Sequence, residues 1–281
     1  MCPLITVFGK AIPSYWLCVL IGALACCGIA VIRCKQFREL QKVDITNSAA
    51  LILIGALLGS RLLYLICISP IIVRHFDYLL CHPKTAYDVI SNGMVFYGGL
   101  FGAIAALHLY SKRFGLDETA FFAFYAPLFP LFHAFGRMGC FLTGCCHGIV
   151  SARFGIAFSN SMSAENGVPF FPVQLLCAGA NLSLFLLLCL LEKRPCGKQG
   201  VFRFYLWFYA IGRFFVEFLR GDTIRGIIGG LSTSQWISIA LLIGLITTGI
   251  CSHRKKAVDN DPLNASLPIK RKKSNSYDLM H

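Results

Sequence analysis

Residues 48–68 read SAALILIGALLGSRLLYLICI. Twenty-one residues pass with a single charge, Arg61. An α-helix needs about 20 apolar residues to cross the hydrocarbon core of a bilayer. This stretch therefore predicts a membrane-spanning helix. Six others share its character, at about 14–33, 92–110, 119–138, 173–191, 200–219 and 231–250. The composition of all 281 residues agrees: 56% are hydrophobic and 14% charged, where soluble chains carry about 25% charge. Mean hydropathy is +0.67. A water-soluble globule has too little interior for this much apolar surface, and disorder requires low hydrophobicity. The expected fold is an all-α polytopic membrane protein of seven transmembrane helices. Residues 1–250 form its membrane domain, and residues 251–281 form a basic, disordered tail.

The net charge is +13, and its distribution speaks to topology. Arg33, loops 34–47, 111–118 and 192–199 and the tail hold sixteen Lys and Arg, whereas the intervening segments hold six. Cytoplasmic loops carry the excess of positive charge. The N-terminus is thus expected outside and the C-terminus in the cytoplasm, as an odd number of spans requires. No basic patch interleaved with aromatics marks a nucleic-acid surface. The first thirteen residues carry no signal-peptide pattern. In the tail, Lys270, Arg271, Lys272 and Lys273 suit anionic headgroups, or act simply as a topology anchor.

Polar residues inside the spans are costly and are functional candidates by default. At 1.5 Å per residue, Arg61 lies roughly two-thirds of the way out along its span. Arg137 falls at the outer end of 119–138, and Tyr15, Tyr97 and Gln174 lie near the outer ends of theirs. Glu217 is the one carboxylate within the seven stretches. Arg213 stands four residues before it, so the two share a helix face and can pair. With Arg203 and Arg220 they form a charged stripe that must face other helices or a water-filled cavity. Arg203, near the cytoplasmic end, can snorkel. The pair either locks helix packing or supplies a planar fork matched to phosphate oxygens. These residues agree in depth, which places a candidate site in the outer half of the bilayer.

The densest cluster is GRMGCFLTGCCHG, residues 136–148. Its glycines, Gly136 and Gly148 included, predict close backbone approach and exposed N–H donors beside Arg137. The run Tyr97-Gly98-Gly99-Leu100-Phe101-Gly102 lies at the same level. Fourteen cysteines occur, mostly within apolar runs where they act as small hydrophobes. They do not form a secreted disulfide framework. A metal reading needs better-spaced ligands than Cys145-Cys146-His147 offers, and no second ligand pair is evident. A redox pair of Cys140 with Cys145 or Cys146 and a tight turn packed with small residues are both open. His133 is a base or an interhelical donor, and His108 is structural.

Together these residues resemble the prolipoprotein diacylglyceryl transferase family. Ile12-Pro13-Ser14-Tyr15 is similar to the start of its first span. Gly59-Ser60-Arg61-Leu62-Leu63-Tyr64 resembles "GARLxY", and Asn92 to Leu100 resembles "GGxxFHGGL". Residues 136–148 resemble "GRxGNFxNGExxG", and Pro172-Val173-Gln174-Leu175 resembles "HPxQLYE". Arg213 to Arg220 resembles "RFxVEFxR", and Leu231 to Trp236 resembles the start of the last span. The chain departs from the family pattern at Tyr97 for His, Cys140 for Asn, Cys145 for Glu, and Leu176-Cys177 for Tyr-Glu. It is similar to a variant branch carrying GCFLxGCCxG.

The resemblance implies transfer of the diacylglyceryl group of phosphatidylglycerol to the lipobox cysteine of prolipoproteins, with release of glycerol 1-phosphate. This would be the first step of lipoprotein maturation in a bacterial inner membrane. It implies catalytic roles for Tyr15, Tyr97, Arg137, Arg213 and Glu217, with the lipid phosphate on Arg137. Arg61, Gly98, Gly99, Gly136, Cys140, Gly148 and Gln174 would line the substrate site. The partners are phosphatidylglycerol, prolipoproteins and membrane lipids, with no nucleic acid, and no cofactor or metal is implied. Tyr97 as phenolate, His147, or no protein base at all stand as ways to take the thiol proton. The rival functions are a related transferase with another acceptor, a membrane thiol oxidoreductase using Cys140, Cys145 and Cys146, and a lipid-binding or transport protein.

Overall fold

The computed structural model describes residues 3–7, 10–91, 93–161, 164–193, 197–221 and 227–259. The basic run at 270–273 lies outside them. Ten α-helices are described: α1 (Ser14–Arg33), α2 (Lys42–Arg74), α3 (Phe76–Cys81), α4 (Pro83–Ser91), α5 (Phe96–Phe114), α6 (Glu118–Tyr125), α7 (Leu128–Thr143), α8 (Val173–Leu191), α9 (Gly197–Val216) and α10 (Thr233–Asp259). Three short antiparallel hairpins lie among the connections: β1–β2 (Leu4–Val7, Lys10–Pro13), β3–β4 (Ile156–Ala157, Pro169–Phe170) and β5–β6 (Ile227–Ile228, Leu231–Ser232).

Among the described residues, five segments are long and apolar enough to cross a membrane: α1, α2, Glu118–Thr143, α8 and Thr233–Ile250. The chain is mostly helical, as expected for a multi-pass membrane protein. The stretches at 92–110 and 200–219 form α5 and α9, which are not among the five. Leu24 on α1 and Leu58 and Leu62 on α2 are more than 60% exposed. Such apolar faces are at home against acyl chains.

Several boundaries differ from expectation, for identifiable reasons. The stretch 48–68 is the centre of a longer helix that continues through Pro70 to Arg74. The connection 69–91 contains α3 and α4. The expected span 119–138 is two helices, α6 and α7, which meet at Ala126 and Pro127. Proline has no N–H to continue the ladder, so the carbonyl four residues earlier, that of Ala123, needs another donor. Arg33 supplies it: Nη2 donates to Ala123 O at 2.9 Å and Nε to Phe124 O at 2.9 Å, while Nη1 pairs with Glu192 at 2.6 Å. Arg33, counted from sequence as a cytoplasmic topology charge, is buried at this junction. At the other end of the chain, α10 runs to Asp259, so the first residues of the expected tail are helical.

Helix termini follow local chemistry. The Asp117 side chain accepts from Thr119 N at 2.9 Å and Ala120 N at 3.3 Å, capping α6. Helices α5 and α7 end on left-handed Gly115 and Gly144, the conformation glycine adopts without strain. A close seam joins α2 to α5. Gly55 and Gly59 face Gly98 and Gly102, and a Cβ on Gly59 or Gly98 would overlap the other residue's carbonyl oxygen. Small residues spaced by four let membrane helices approach backbone to backbone. One core cluster centres on Tyr97, Leu188, Tyr205 and Tyr209, and another on Phe37, Phe121 and Phe124.

Candidate active site

Arg137 lies on α7 and is 9% exposed. Its Nε donates to His133 Nε2 at 3.0 Å, one helical turn away. That bond requires an unprotonated Nε2, so the imidazole is neutral with its proton on Nδ1. The ring is held by stacking on Phe96, centroids 4.1 Å apart. The sequence offered a base or an interhelical donor; the structure instead makes His133 an acceptor within its own helix, the orienting partner of Arg137. Among the described residues Arg137 has no carboxylate partner. Helix α1 approaches α7 closely here: a Cβ on Gly139 would stand 3.0 Å from Tyr15 Cδ2 and 3.2 Å from Cys18 Cβ. Tyr15 is thereby brought within electrostatic reach of Arg137, Cys140 and Cys145.

Arg213 comes from α9. Its Nη2 pairs with Glu217 Oε2 at 2.6 Å and donates to Ser234 Oγ at 3.0 Å. The i,i+4 pair expected from sequence forms, although α9 ends at Val216 and Glu217 opens a single 3₁₀ turn. Arg213 Nη1 is buried without a hydrogen-bond partner among the described residues. Arg137, Arg213 and Arg220 all bear electrostatically on His133, so the three cations converge from α7, α9 and the turn after α9. The Tyr97 hydroxyl is 2.5 Å from Ser238 Oγ on α10, and its ring lies edge-on to Tyr209. Arg203, at the far end of the stripe, bonds the Leu245 carbonyl and packs over Gly249.

The 136–148 stretch is mostly helix. Residues 136–143 complete α7, and the turn begins at Gly144 with φ +72°. The expected exposed N–H donors are committed at three positions. Gly144 N bonds Phe141 O, Cys145 N bonds Cys140 O, and Gly148 N bonds Phe171 O. The backbone after the turn pairs instead with neighbouring chain: Ile149 N to Leu219 O at 3.0 Å and Gly221 N to His147 O at 3.3 Å. A Cβ on Gly148 would stand 2.6 Å from Phe171 O and 2.8 Å from Leu219 O. Gly148 is thus a packing point between two connections. Fully buried Gln174 donates from Nε2 to Cys145 O at 2.8 Å, pinning the turn to the start of α8. The sulfur atoms of Cys140, Cys145 and Cys146 all lie within 4.8 Å of one another. Hydrogen bonds from Cys140 and Cys145 hold the Cys146 thiol below the ordinary thiol range.

Other sequence candidates occupy different places. Arg61 Nη1 donates to the carbonyls of Ile90 at 3.4 Å and Gly93 at 3.2 Å, on the segment leading into α5. Gly98 is on the α2–α5 seam, and a Cβ on Gly99 would stand 3.3 Å from Ala56 O on the same helix pair. Gly136, beside Arg137, has open space where a Cβ would point. His108 meets Glu118 at 2.8 Å, as its structural reading expected. Sequence reasoning missed Ser234 and Ser238, which meet Arg213 and Tyr97. Their four-residue spacing on one face of an apolar helix was the available signal.

A family model described as prolipoprotein diacylglyceryl transferase matches residues 3–251. The chain is similar to a phosphatidylglycerol–prolipoprotein diacylglyceryl transferase of Clostridium tetani, at 34% identity over 90% of this chain and 98% of the relative. It is likewise similar to a second such protein of Clostridium perfringens, at 32% identity over 85% and 90%, and to one of Cupriavidus necator, at 30% over 88% and 90%. A helical membrane chain with converging buried cations, matched along nearly its whole length, thus belongs to the prolipoprotein diacylglyceryl transferase family.

Proposed function

We propose that this chain transfers the diacylglyceryl group of phosphatidylglycerol to the lipobox cysteine thiol of a prolipoprotein, releasing glycerol 1-phosphate. The observation that carries the reading is the uncommitted fork of Arg137. It is a buried guanidinium whose bond among the described residues goes to a neutral imidazole. Its Nη donors meet no protein carboxylate among the described residues, and a lipid phosphate supplies the acceptor they fit. Arg213 offers a second donor in Nη1, and planar forks of this kind bind phosphate bidentately.

The acceptor thiolate attacks the glycerol carbon that bears the phosphate ester. A C–S bond forms, the C–O bond breaks, and its electron pair leaves on the phosphate oxygen. Arg137 and Arg213 stabilise the charge that develops there, an electrostatic contribution fixed in place before the reaction. Glu217 holds Arg213 in position, Tyr15 and Gly136 border the headgroup, and Cys140 and Gln174 shape the adjoining turn. Arg61, Gly98, Gly99 and Gly148 support the walls through helix and turn packing. Tyr97 spends its hydroxyl on Ser238. His147, whose Nδ1 lies 3.0 Å from Gly148 O on the turn after α7, is the base of this proposal.

The proposed topology adds α5 and α9 to the five apolar segments, with the N-terminus outside and this site in the outer half of a bacterial inner membrane. The alternation of loop charge supports that orientation. The test is purified protein in phosphatidylglycerol vesicles with a lipobox-cysteine peptide. A diacylglyceryl mass increase with released glycerol phosphate is expected, and Arg137→Ala loses it. No increase, with the Clostridium tetani relative active alongside, overturns the reading.

A further inference from the structure

Three thiols meet at one turn, and transfer chemistry gives them no role as a set. Cys140 is on the last turn of α7, while Cys145 and Cys146 follow the left-handed Gly144. Cys146 itself has φ +56°, uncommon for a side-chain-bearing residue, and this directs the turn back toward Cys140. The three sulfur atoms lie within 4.8 Å of one another. We propose that Cys140, Cys145 and Cys146 bind a single thiophilic metal ion, Cu(I), in three-coordinate thiolate ligation.

The geometry suits this assignment. Thiolate–metal bonds are about 2.3 Å long, so three sulfurs around one ion stand about 4 Å apart. That spacing is reached with small adjustments. A disulfide, at about 2.05 Å between sulfurs, asks for a larger approach and leaves the third thiol over. Among the described residues the group has no fourth donor. Structural zinc takes four, whereas soft sulfur donors select Cu(I). A Cu(I) ion bound by three thiolates carries a net negative charge, and Arg137 and Arg220 lie within electrostatic reach of Cys146 to balance it. The surroundings hold the ligands: Thr143 Oγ1 donates to Cys145 Sγ at 3.3 Å, and Gln174 fixes the Cys145 carbonyl. Binding exchanges thiol protons for the metal and moves no electrons. The inference does not depend on the transferase reading, because its test reads the metal.

The reduced full-length chain, purified in detergent, is titrated anaerobically with Cu(I) against a chromophoric Cu(I) chelator, with Zn(II) in parallel. X-ray absorption is then recorded on the loaded native chain. One Cu(I) per chain with a shell of three sulfurs is expected. The triple variant Cys140→Ser, Cys145→Ser, Cys146→Ser loses that ion, while Cys27→Ser, Cys67→Ser, Cys81→Ser at exposed positions keeps it. Retention by the first triple variant, two-sulfur or nitrogen ligation, or no competition with the chelator overturns the site. Tight Zn(II) with weak Cu(I) overturns the choice of metal. If the first variant does not fold, the sulfur count on the native chain decides.

Discussion

Arg137 reaches its place by a short chain of contacts. Phe96 stacks on the His133 ring, and His133 Nε2 receives the Arg137 Nε–H. A phenylalanine at position 133 keeps the stacking and removes the acceptor. An unmet buried hydrogen bond costs about 1–3 kcal/mol, so His133→Phe should lower kcat/KM roughly ten- to a hundredfold, read in the peptide-transfer assay. Arg137→Ala removes a charged donor at the leaving group and should cost about 10²–10³-fold in kcat. Arg137→Lys should recover little of it, because a point charge replaces a fork. At this scale the sequence was legible where chemistry advertises itself. Arg213 and Glu217 are four apart and conspicuous in an apolar run. Ser234 and Ser238 were not legible, since a serine in a membrane helix usually bonds its own preceding turn, as Ser238 also does with Ser234 O at 2.9 Å.

Helices, taken as units, meet in two contrasting ways. The α2–α5 seam is made of absent side chains. A Cβ on Gly59 would overlap the Gly98 carbonyl oxygen, so Gly59→Ala should destabilise by about 1–3 kcal/mol, the usual cost of overpacking. A lowered thermal midpoint in detergent would show it. The α1–α6–α8 junction is made instead of one cation with three partners. Breaking a buried ion pair from one side costs about 3–5 kcal/mol. Glu192→Ala should fall in that range, and Arg33→Ala should lose more, because two backbone carbonyls also go unmet. Chemical or thermal unfolding of the two variants and their double mutant measures the difference. Hydrophobic runs located the main helices but concealed the break at Ala126 and Pro127. The apolar pattern continues through the proline, and only the missing N–H interrupts the ladder. The helices α3 and α4 went unread because 69–91 offers no long apolar face.

Across the whole molecule, the loop-charge alternation sets a testable arrangement. A green fluorescent fusion after His281 should glow, and an alkaline phosphatase fusion at the same point should be inactive; the reverse pattern would invert the proposed orientation. The bundle's general character was legible from composition, and its family from motifs spread between residues 12 and 236. The meeting of distant segments was not, because Arg33 and Ala123 are joined by tertiary contact alone. That contact has a temporal consequence. A ribosome delivers α1 first, so Arg33 is already waiting when the proline-interrupted segment emerges with its orphaned carbonyl. Glu192 arrives some seventy residues later. Until α8 is made, Arg33 lacks its carboxylate partner, and the synthesis of α8 supplies it. The junction therefore has its full set of partners only once α8 has been made, with the carboxylate the last of them to be synthesised.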